Sequence, residues 1–413
     1  MRHTAGYRSC AIIGLVIYAA VGIEAVGADS PTVLQPLDVF QLEYASDPQI
    51  SPDGQQVAYV RNSMDVLRDR VRSELWMINS DGSGHRPLVE SGPNISQTRW
   101  SPDGMRIAYV AKEDNQGPSQ VYVLWLQTGV SAQLTQLSET PQHLAWSPDG
   151  RQLAFVMLVP SKVEPFVDMP EKPEGAKWAA APQVIRDVLY RHDGDGYLES
   201  GFRHIFTLPA AGATPRQLTS GDYHHTGPLA WSPDGGAIYF SANRNDDWEY
   251  EPRESEIFRV LTADGSLEQL THRKGPDEHP VVSADGRHIA WLGYDDQKLS
   301  HQTTQLYLMN RRGKQRRALT SGFDRDVDSP AWSKDGTGLY IQYDEHGTTK
   351  IGLASLAGEV TPLASGVGGV TIGRPYASGS YSTNGRGRFA FTLTSPRHPA
   401  DVAVGNRDKK NVR

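Results

Sequence analysis

Trp100-Ser101-Pro102-Asp103-Gly104 is followed at once by the apolar run Ile107-Ala108-Tyr109-Val110, and the same pairing recurs along the whole chain. The phrase returns as Trp146-Ser147-Pro148-Asp149-Gly150 and Trp231-Ser232-Pro233-Asp234-Gly235, and an earlier copy reads Ser51-Pro52-Asp53-Gly54. Looser copies stand at Val282-Ser283-Ala284-Asp285-Gly286, Trp332-Ser333-Lys334-Asp335-Gly336 and Tyr381-Ser382-Thr383-Asn384-Gly385. From serine to serine the spacings are 50, 46, 85, 51, 50 and 49 residues. A period near 50 with one enlarged gap is the signature of a repeat array.

The phrase has a mechanism. Serine first, proline second and glycine fourth suit a type I turn, because proline presets φ and glycine accepts the exit geometry. The runs behind it (Val57–Val60, Leu153–Val156, Ile238–Phe240, Ile289–Trp291) lack polar alternation and read as strands buried on both faces. Each phrase is therefore the turn of a hairpin. A third strand follows in each period, as in Glu74-Leu75-Trp76-Met77-Ile78 and Gln305-Leu306-Tyr307-Leu308-Met309, and a fourth ends in Leu-Thr, as in Gln217-Leu218-Thr219. Four short strands per period predict an all-β, WD40-like propeller of seven blades.

An eighth blade inside the 85-residue gap is disfavoured, since residues 157–203 contain neither a turn phrase nor Leu-Thr. They read as an insertion in the third blade, with Val184–Tyr190 forming an extra hairpin with the strand at 204–208. The insertion should emerge on the face opposite the turns. The last blade, with strands expected at Arg388–Leu393 and Ala400–Val404, shows no fourth strand before the charged tail. Either Thr32-Val33-Leu34 closes the ring or that blade is incomplete.

The first 28 residues read as a secretory signal: Arg2 and Arg8, an apolar run from Cys10 to Val21, and small residues Val26-Gly27-Ala28 before the expected cleavage. Residues 29–36 form a linker and 37–413 the propeller. Cys10 is the chain's one cysteine, so cleavage leaves 385 residues (413 minus 28) without thiol or disulfide chemistry. That composition predicts a periplasmic or secreted protein with no membrane association after cleavage. A net charge of -7 offers no basic field for nucleic acid.

The phrases between repeats carry a more specific likeness. Arg61-Asn62-Ser63-Met64-Asp65, Arg191-His192-Asp193-Gly194-Asp195-Gly196-Tyr197-Leu198, Asp247-Trp248-Glu249-Tyr250-Glu251-Pro252 and Gly293-Tyr294-Asp295-Asp296 resemble the propeller of acylaminoacyl-peptidase-type enzymes of the prolyl oligopeptidase (S9) family. The resemblance spans Leu37 to Val404. It implies a non-catalytic domain that covers a peptidase active site and filters peptide substrates, with a hydrolase domain as partner. That hydrolase domain would carry a Gly-x-Ser-x-Gly elbow, whose strained turn exposes the nucleophile. No stretch of the 413 residues fits the elbow; Ser378-Gly379-Ser380-Tyr381-Ser382 lacks the flanking glycines. The chain is thus expected to stop before the catalytic domain, with no catalytic residue, and to be inactive alone. The alternative is a TolB-like envelope propeller that binds protein partners.

Candidate binding groups are few. The Asp247–Glu251 segment is similar to the one with which dipeptidyl peptidases of this superfamily hold a substrate's amino terminus, which implies Glu251, Glu254 and Glu256 as substrate-binding carboxylates; Pro252-Arg253 departs from the family pattern. His224 and His225, Asp277-Glu278-His279, and Asp324, Asp326 and Asp328 occupy equivalent places in successive periods. A metal site there needs converging ligands, and solvated loops are the expected reading. His192–Gly196 resembles part of a calcium loop without its full ligand spacing and reads as a tight turn. No metal or cofactor is expected.

Overall fold

The repeated hairpin is held by the same hydrogen bonds in every full copy. The serine hydroxyl donates to the aspartate two residues on at 2.5–2.6 Å, in Ser51–Asp53, Ser101–Asp103, Ser147–Asp149, Ser232–Asp234, Ser283–Asp285 and Ser333–Asp335. The same carboxylate oxygen accepts a backbone N–H after the glycine, such as Gly236 N at 2.9 Å, and the glycine N–H closes the turn onto the serine carbonyl. Gly150, with φ at +67°, occupies the left-handed region that this closure requires. The serine hydroxyl is the largest cause holding Asp53, Asp149, Asp234, Asp285 and Asp335 below the usual carboxylate range. Asp234→Ala removes two of these bonds and is expected to cost about 1–2 kcal/mol; an unchanged thermal midpoint would contradict this account of the turn.

This computed structural model describes residues 33, 35–89, 94–112, 117–162, 167, 170–179, 184–369, 379–409 and 412. Strands in the unit Phe40–Arg413 build antiparallel meanders. Meander 1 comprises Tyr44–Ile50, Gln56–Asp65, Arg70–Asn79 and Arg86–Val89; meander 2 comprises Asn94–Trp100, Arg106–Lys112, Gln120–Trp125 and Val130–Gln133. Meander 3 comprises Gln142–Trp146, Gln152–Pro160, Gly201–Pro209 and Arg216–Gln217; meander 4 comprises His225–Trp231, Ala237–Ala242, Glu256–Leu261 and Leu267–Gln269. Meander 5 comprises Asp277–Val282, His288–Gly293, Gln305–Asn310 and Arg317–Ala318; meander 6 comprises Val327–Trp332, Gly338–Glu345, Thr348–Ser355 and Val360–Val367. The last has three strands among the described residues, Tyr381–Thr383, Arg388–Ser395 and His398–Asn406, joined to meander 6 by the pair Val367–Leu393. No helix among the described residues is long and apolar enough to cross a membrane.

The tryptophan of the phrase clamps one meander to the previous one. Its indole N–H donates to the carbonyl two residues before the preceding phrase serine: Trp100 to Gln49 at 2.8 Å, Trp146 to Arg99 at 2.9 Å, Trp231 to Ala145 at 3.4 Å and Trp332 to Val281 at 3.1 Å. The apolar runs of the second strands are buried, as Val57–Val60 shows, because they face neighbours on both sides.

Three expectations are corrected. Meander 1 begins at Tyr44, preceded by a 3-10 turn over Pro36–Gln41 with no buried residue. Val184–Tyr190 is not a strand; Gln152–Pro160 pairs directly with Gly201–Pro209, which uses the hydrogen bonds that an extra hairpin would need. The hairpin within the insertion is the short ladder Arg191–His192 with Gly196–Tyr197, so His192–Gly196 is the tight turn expected. The degenerate last phrase is one residue tighter: Asn384 N bonds Arg388 O, where Ser101 N bonds Arg106 O. Its Ser382 hydroxyl is thereby released to accept Ile50 N of meander 1 at 2.8 Å.

The first and last meanders meet without sharing a strand among the described residues. Arg388 donates to Gly54 O at 2.7 Å, as Arg106 does to Gly150 O at 2.9 Å one boundary along. Ile50, Val57 and Ala390 are buried there with Ile78, Val402 and Val404 packed around them. Thr32 and Leu34 lie outside the described residues.

Candidate functional site

Because strands alternate in direction, the connections between second and third strands emerge opposite the phrase turns. There the insertion, residues 243–255 and residues 294–304 come out of meanders 3, 4 and 5. The loop after Ala242 is built rather than loose. Asn243 Nδ2 donates to Glu251 O at 2.7 Å, and Tyr250 N and Glu251 N bond Asp247 O in a single helical turn. Trp248 fits edge-on against His224 (5.4 Å between ring centres) and Phe202 (6.2 Å), while Glu249 Oε1 accepts Val188 N of the insertion at 2.8 Å. The turn leaves Trp248 half-buried against these rings and Tyr250 exposed.

The three glutamates have different surroundings. Glu251 pairs with Lys298 at 2.7 Å beside a cavity of about 280 Å³ that Tyr250, Asp296 and Leu299 also line. Lys298, itself paired with Asp296 at 3.4 Å, is a partner that sequence reasoning missed, since 47 residues separate it from Glu251. Glu254 stays on the loop, where its carbonyl accepts Asn245 Nδ2 at 3.3 Å. Glu256 lies inside the wall between meanders 4 and 5, 7% exposed, and accepts Arg273 N at 2.8 Å.

Around Glu256 the wall holds a buried ionic cluster. Asp277, fully buried, accepts Trp291 Nε1 at 2.8 Å and pairs closely with the Arg273 guanidinium. Arg273 also reaches Asp295 at 3.0 Å and Tyr307 at 2.8 Å, and stacks over the Tyr307 ring at 4.1 Å. Burial, and next among the raising causes the Asp277 charge, pushes the Glu256 carboxyl up to about 7. The phrase of meander 5 carries Val282 where meander 4 has Trp231, and this cluster occupies the boundary between the two.

The histidines are structural too. His225 is wholly buried; its Nδ1 donates to Arg203 O at 3.1 Å and its Nε2 accepts from Arg244 at 2.6 Å, which fixes the neutral ring. Burial pushes His225 down to about 3 and His224 down to about 4. His225 and Asp277 are enclosed in packed walls, while Glu278, Asp324, Asp326 and Asp328 are exposed to solvent. Asp326 accepts Thr304 N at 2.7 Å, and Asp328 lies 3.8 Å from His279. Among the described residues no three His, Cys, Asp or Glu side chains converge to hold a metal ion. Ser378 lies outside the described residues.

Comparison with known proteins agrees with this architecture. Residues 187–301 match the model of the dipeptidyl peptidase IV N-terminal region, a stretch that includes the Trp248 loop and the ionic cluster. The chain is 24% identical to the uncharacterized peptidase YuxL of Bacillus subtilis, covering 90% of this chain and 57% of that protein. It is also 24% identical to dipeptidyl-peptidase 5 of Porphyromonas gingivalis, covering 79% of this chain and 48% of that one. Among solved structures, Pyrococcus horikoshii acylaminoacyl peptidase superposes with a TM-score of 0.67 at 18% identity, over 91% of this chain and 52% of its own. The β-propeller domain of the Trilobed protease from Pyrococcus furiosus superposes with 0.61 at 17% identity, over 90% and 95%. The chain is an all-β propeller, similar in fold to the β-propeller domain of the Trilobed protease and to part of the acylaminoacyl peptidase. It spans about half the length of the curated relatives it matches.

Proposed function

We propose that this propeller is the substrate-admitting, non-catalytic part of an S9-type serine peptidase that acts on peptides. The observation that carries the reading is the 187–301 match, which takes in meander 4 together with part of the insertion and the Trp248 loop, both of which emerge opposite the phrase turns. The absence of any Gly-x-Ser-x-Gly in the 413 residues supports placing the acyl-transfer chemistry on a hydrolase domain. Glu251, with Glu254 on the same loop, is the group we assign to a peptide's ammonium terminus, since a charged carboxylate makes strong hydrogen bonds to it. Lys298 holds that carboxylate until substrate replaces it. The signal-like first 28 residues support export to the periplasm or beyond the cell.

A fluorophosphonate probe tests the proposal. The purified chain should take up no label, and a tagged copy recovered from the cell envelope should begin at Asp29 and bring with it a polypeptide that does. Labelling of the chain itself, or recovery of no labelled polypeptide, overturns the reading.

A further inference from the structure

The end of the ring that carries the phrase turns also carries the turns between third and fourth strands, because strands alternate in direction. In meanders 1, 2, 3, 4 and 6 those turns, residues 80–84, 126–129, 210–215, 262–266 and 356–359, contain no lysine or arginine. In meander 5 the turn reads Arg311-Arg312-Gly313-Lys314-Gln315-Arg316-Arg317, with five cations in seven residues. All five are exposed. In a chain whose net charge is -7, this is a local reversal of sign.

The turn is fixed by contacts that leave its charges unused. Asn310 Oδ1 accepts Arg312 N and Lys314 N, both at 3.0 Å, and Gly313 N closes onto Asn310 O at 2.9 Å. Gly313, with φ at +69°, leaves no room for a side chain, because a Cβ would stand 2.9 Å from Leu270 O. Arg316 Nη2 donates to Leu270 O at 2.5 Å and Arg317 Nη2 to Leu356 O at 2.8 Å, which ties the turn to both neighbouring meanders. A carbonyl accepts a hydrogen bond without neutralising the guanidinium. None of the five cations forms an ion pair with a carboxylate among the described residues. The Asp234 carboxyl is lowered by the Ser232 hydroxyl and the Gly236 N–H, and least by the Arg311 charge. Cations elsewhere are met: Arg259 by Glu268, Arg273 by Asp277, and, in the equivalent turn of the last meander, Arg407 by Asp335 and Asp408. Arg287, whose carbonyl accepts Arg311 N at 2.9 Å, adds a sixth cation that Asp285 holds loosely at 3.8 Å.

Cations on adjacent residues of one rigid turn repel one another over the Debye length of about 8 Å, and an outside array of anions offsets that repulsion. The shape of this end favours a plane as that array. Every described connection here spans six residues or fewer, so the surface is low and suits a sheet of charge better than a threaded chain.

We propose that the meander 5 turn docks the propeller on the anionic phosphate headgroups of a lipid bilayer, with the Trp248 loop at the opposite end facing away. Guanidinium forks match phosphate oxygens in geometry and charge. A cluster of about four to eight such cations is enough for adsorption to anionic lipid. The expectation of no membrane association rests on hydropathy, which does not register a charged surface. With no apolar side chain in the turn, attachment is by charge alone and reversible.

Sedimentation of the full chain with vesicles containing about a third phosphatidylglycerol reads the binding. Phosphatidylcholine vesicles supply the neutral surface and control for attachment through the amino-terminal apolar run. The chain should bind the anionic vesicles at least about tenfold more tightly than the neutral ones, and lose that advantage as salt rises. Arg312→Glu with Lys314→Glu should abolish the advantage. Lys162→Glu with Lys172→Glu, the same change of net charge placed on the insertion, should keep it. Equal binding to the two surfaces, or equal loss in the two double variants, overturns the proposal. Displacement by inorganic phosphate but not by chloride of the same ionic strength would make the turn an ion site and overturn it as well. So would retention on polyglutamate without binding to vesicles, which would assign the turn to an acidic protein.

Discussion

Asp277→Ala is expected to destabilise the propeller by about 3–5 kcal/mol, the largest effect of any single substitution considered for this chain. The carboxylate is fully buried, holds the Arg273 guanidinium and accepts the Trp291 indole N–H. Its removal leaves the indole N–H without an acceptor and takes the inner carboxylate from a mostly buried cation, so the desolvation of both is no longer fully offset. Asp295 and Tyr307 keep contact with Arg273 but lie toward the loop side and cannot replace the inner partner. Glu251→Ala is the natural control, because its pair with Lys298 is exposed and screened by solvent, so its loss should leave the midpoint close to the parent's. Urea titration of the two variants decides the matter. Equal midpoints would mean that the ionic cluster does not hold the boundary between meanders 4 and 5.

Glu256→Gln is expected to change the pH dependence of stability rather than its value at acid pH. Burial raises the Glu256 carboxyl to about 7, from an ordinary value of 4.5 in the unfolded chain. Between those values the folded state binds the extra proton, so stability falls as pH rises. The contribution is fully present below about pH 4.5 and is lost as pH passes through about 7. Glutamine reproduces the protonated shape, can accept Arg273 N–H and has no charge to develop. The variant should match the parent near pH 4.5 and exceed it at pH 8 by roughly 3 kcal/mol, following about 1.4 kcal/mol for each pH unit of the shift. Comparing variant with parent at each pH cancels His143, His204, His224 and His225, all pushed down by burial. A difference that stays constant from pH 5 to 8 would refute a protonated Glu256.

Much of the architecture is legible in the phrase itself. Ser-Pro-Asp-Gly has one favourable conformation, so its recurrence located the hairpins, and the apolar runs behind it named the buried second strands. The tight turn at His192–Gly196 was legible because the stretch lacks the full ligand spacing of the calcium loop it resembles. The run Val184–Tyr190 misled, because β-branched and aromatic content resembles a strand wherever it falls. Strand pairing is decided by which partner's hydrogen bonds are free, and Gly201–Pro209 had already taken those of Gln152–Pro160. The histidines misled for a related reason. His225 is polar in composition, yet a neutral ring with both nitrogens occupied buries as readily as an aromatic one.

The sequence by itself determined the repeat, the turn and the order of strands, since each depends on conformational preferences within a few residues. Tertiary structure alone decided which charges became interior. Glu251 and Glu256 are five residues apart and of one chemical type, yet one is met at the surface by Lys298 and the other is enclosed beside Asp277 and Arg273. Burial depends on which meander lies alongside, and that is a property of the ring rather than of any stretch within it.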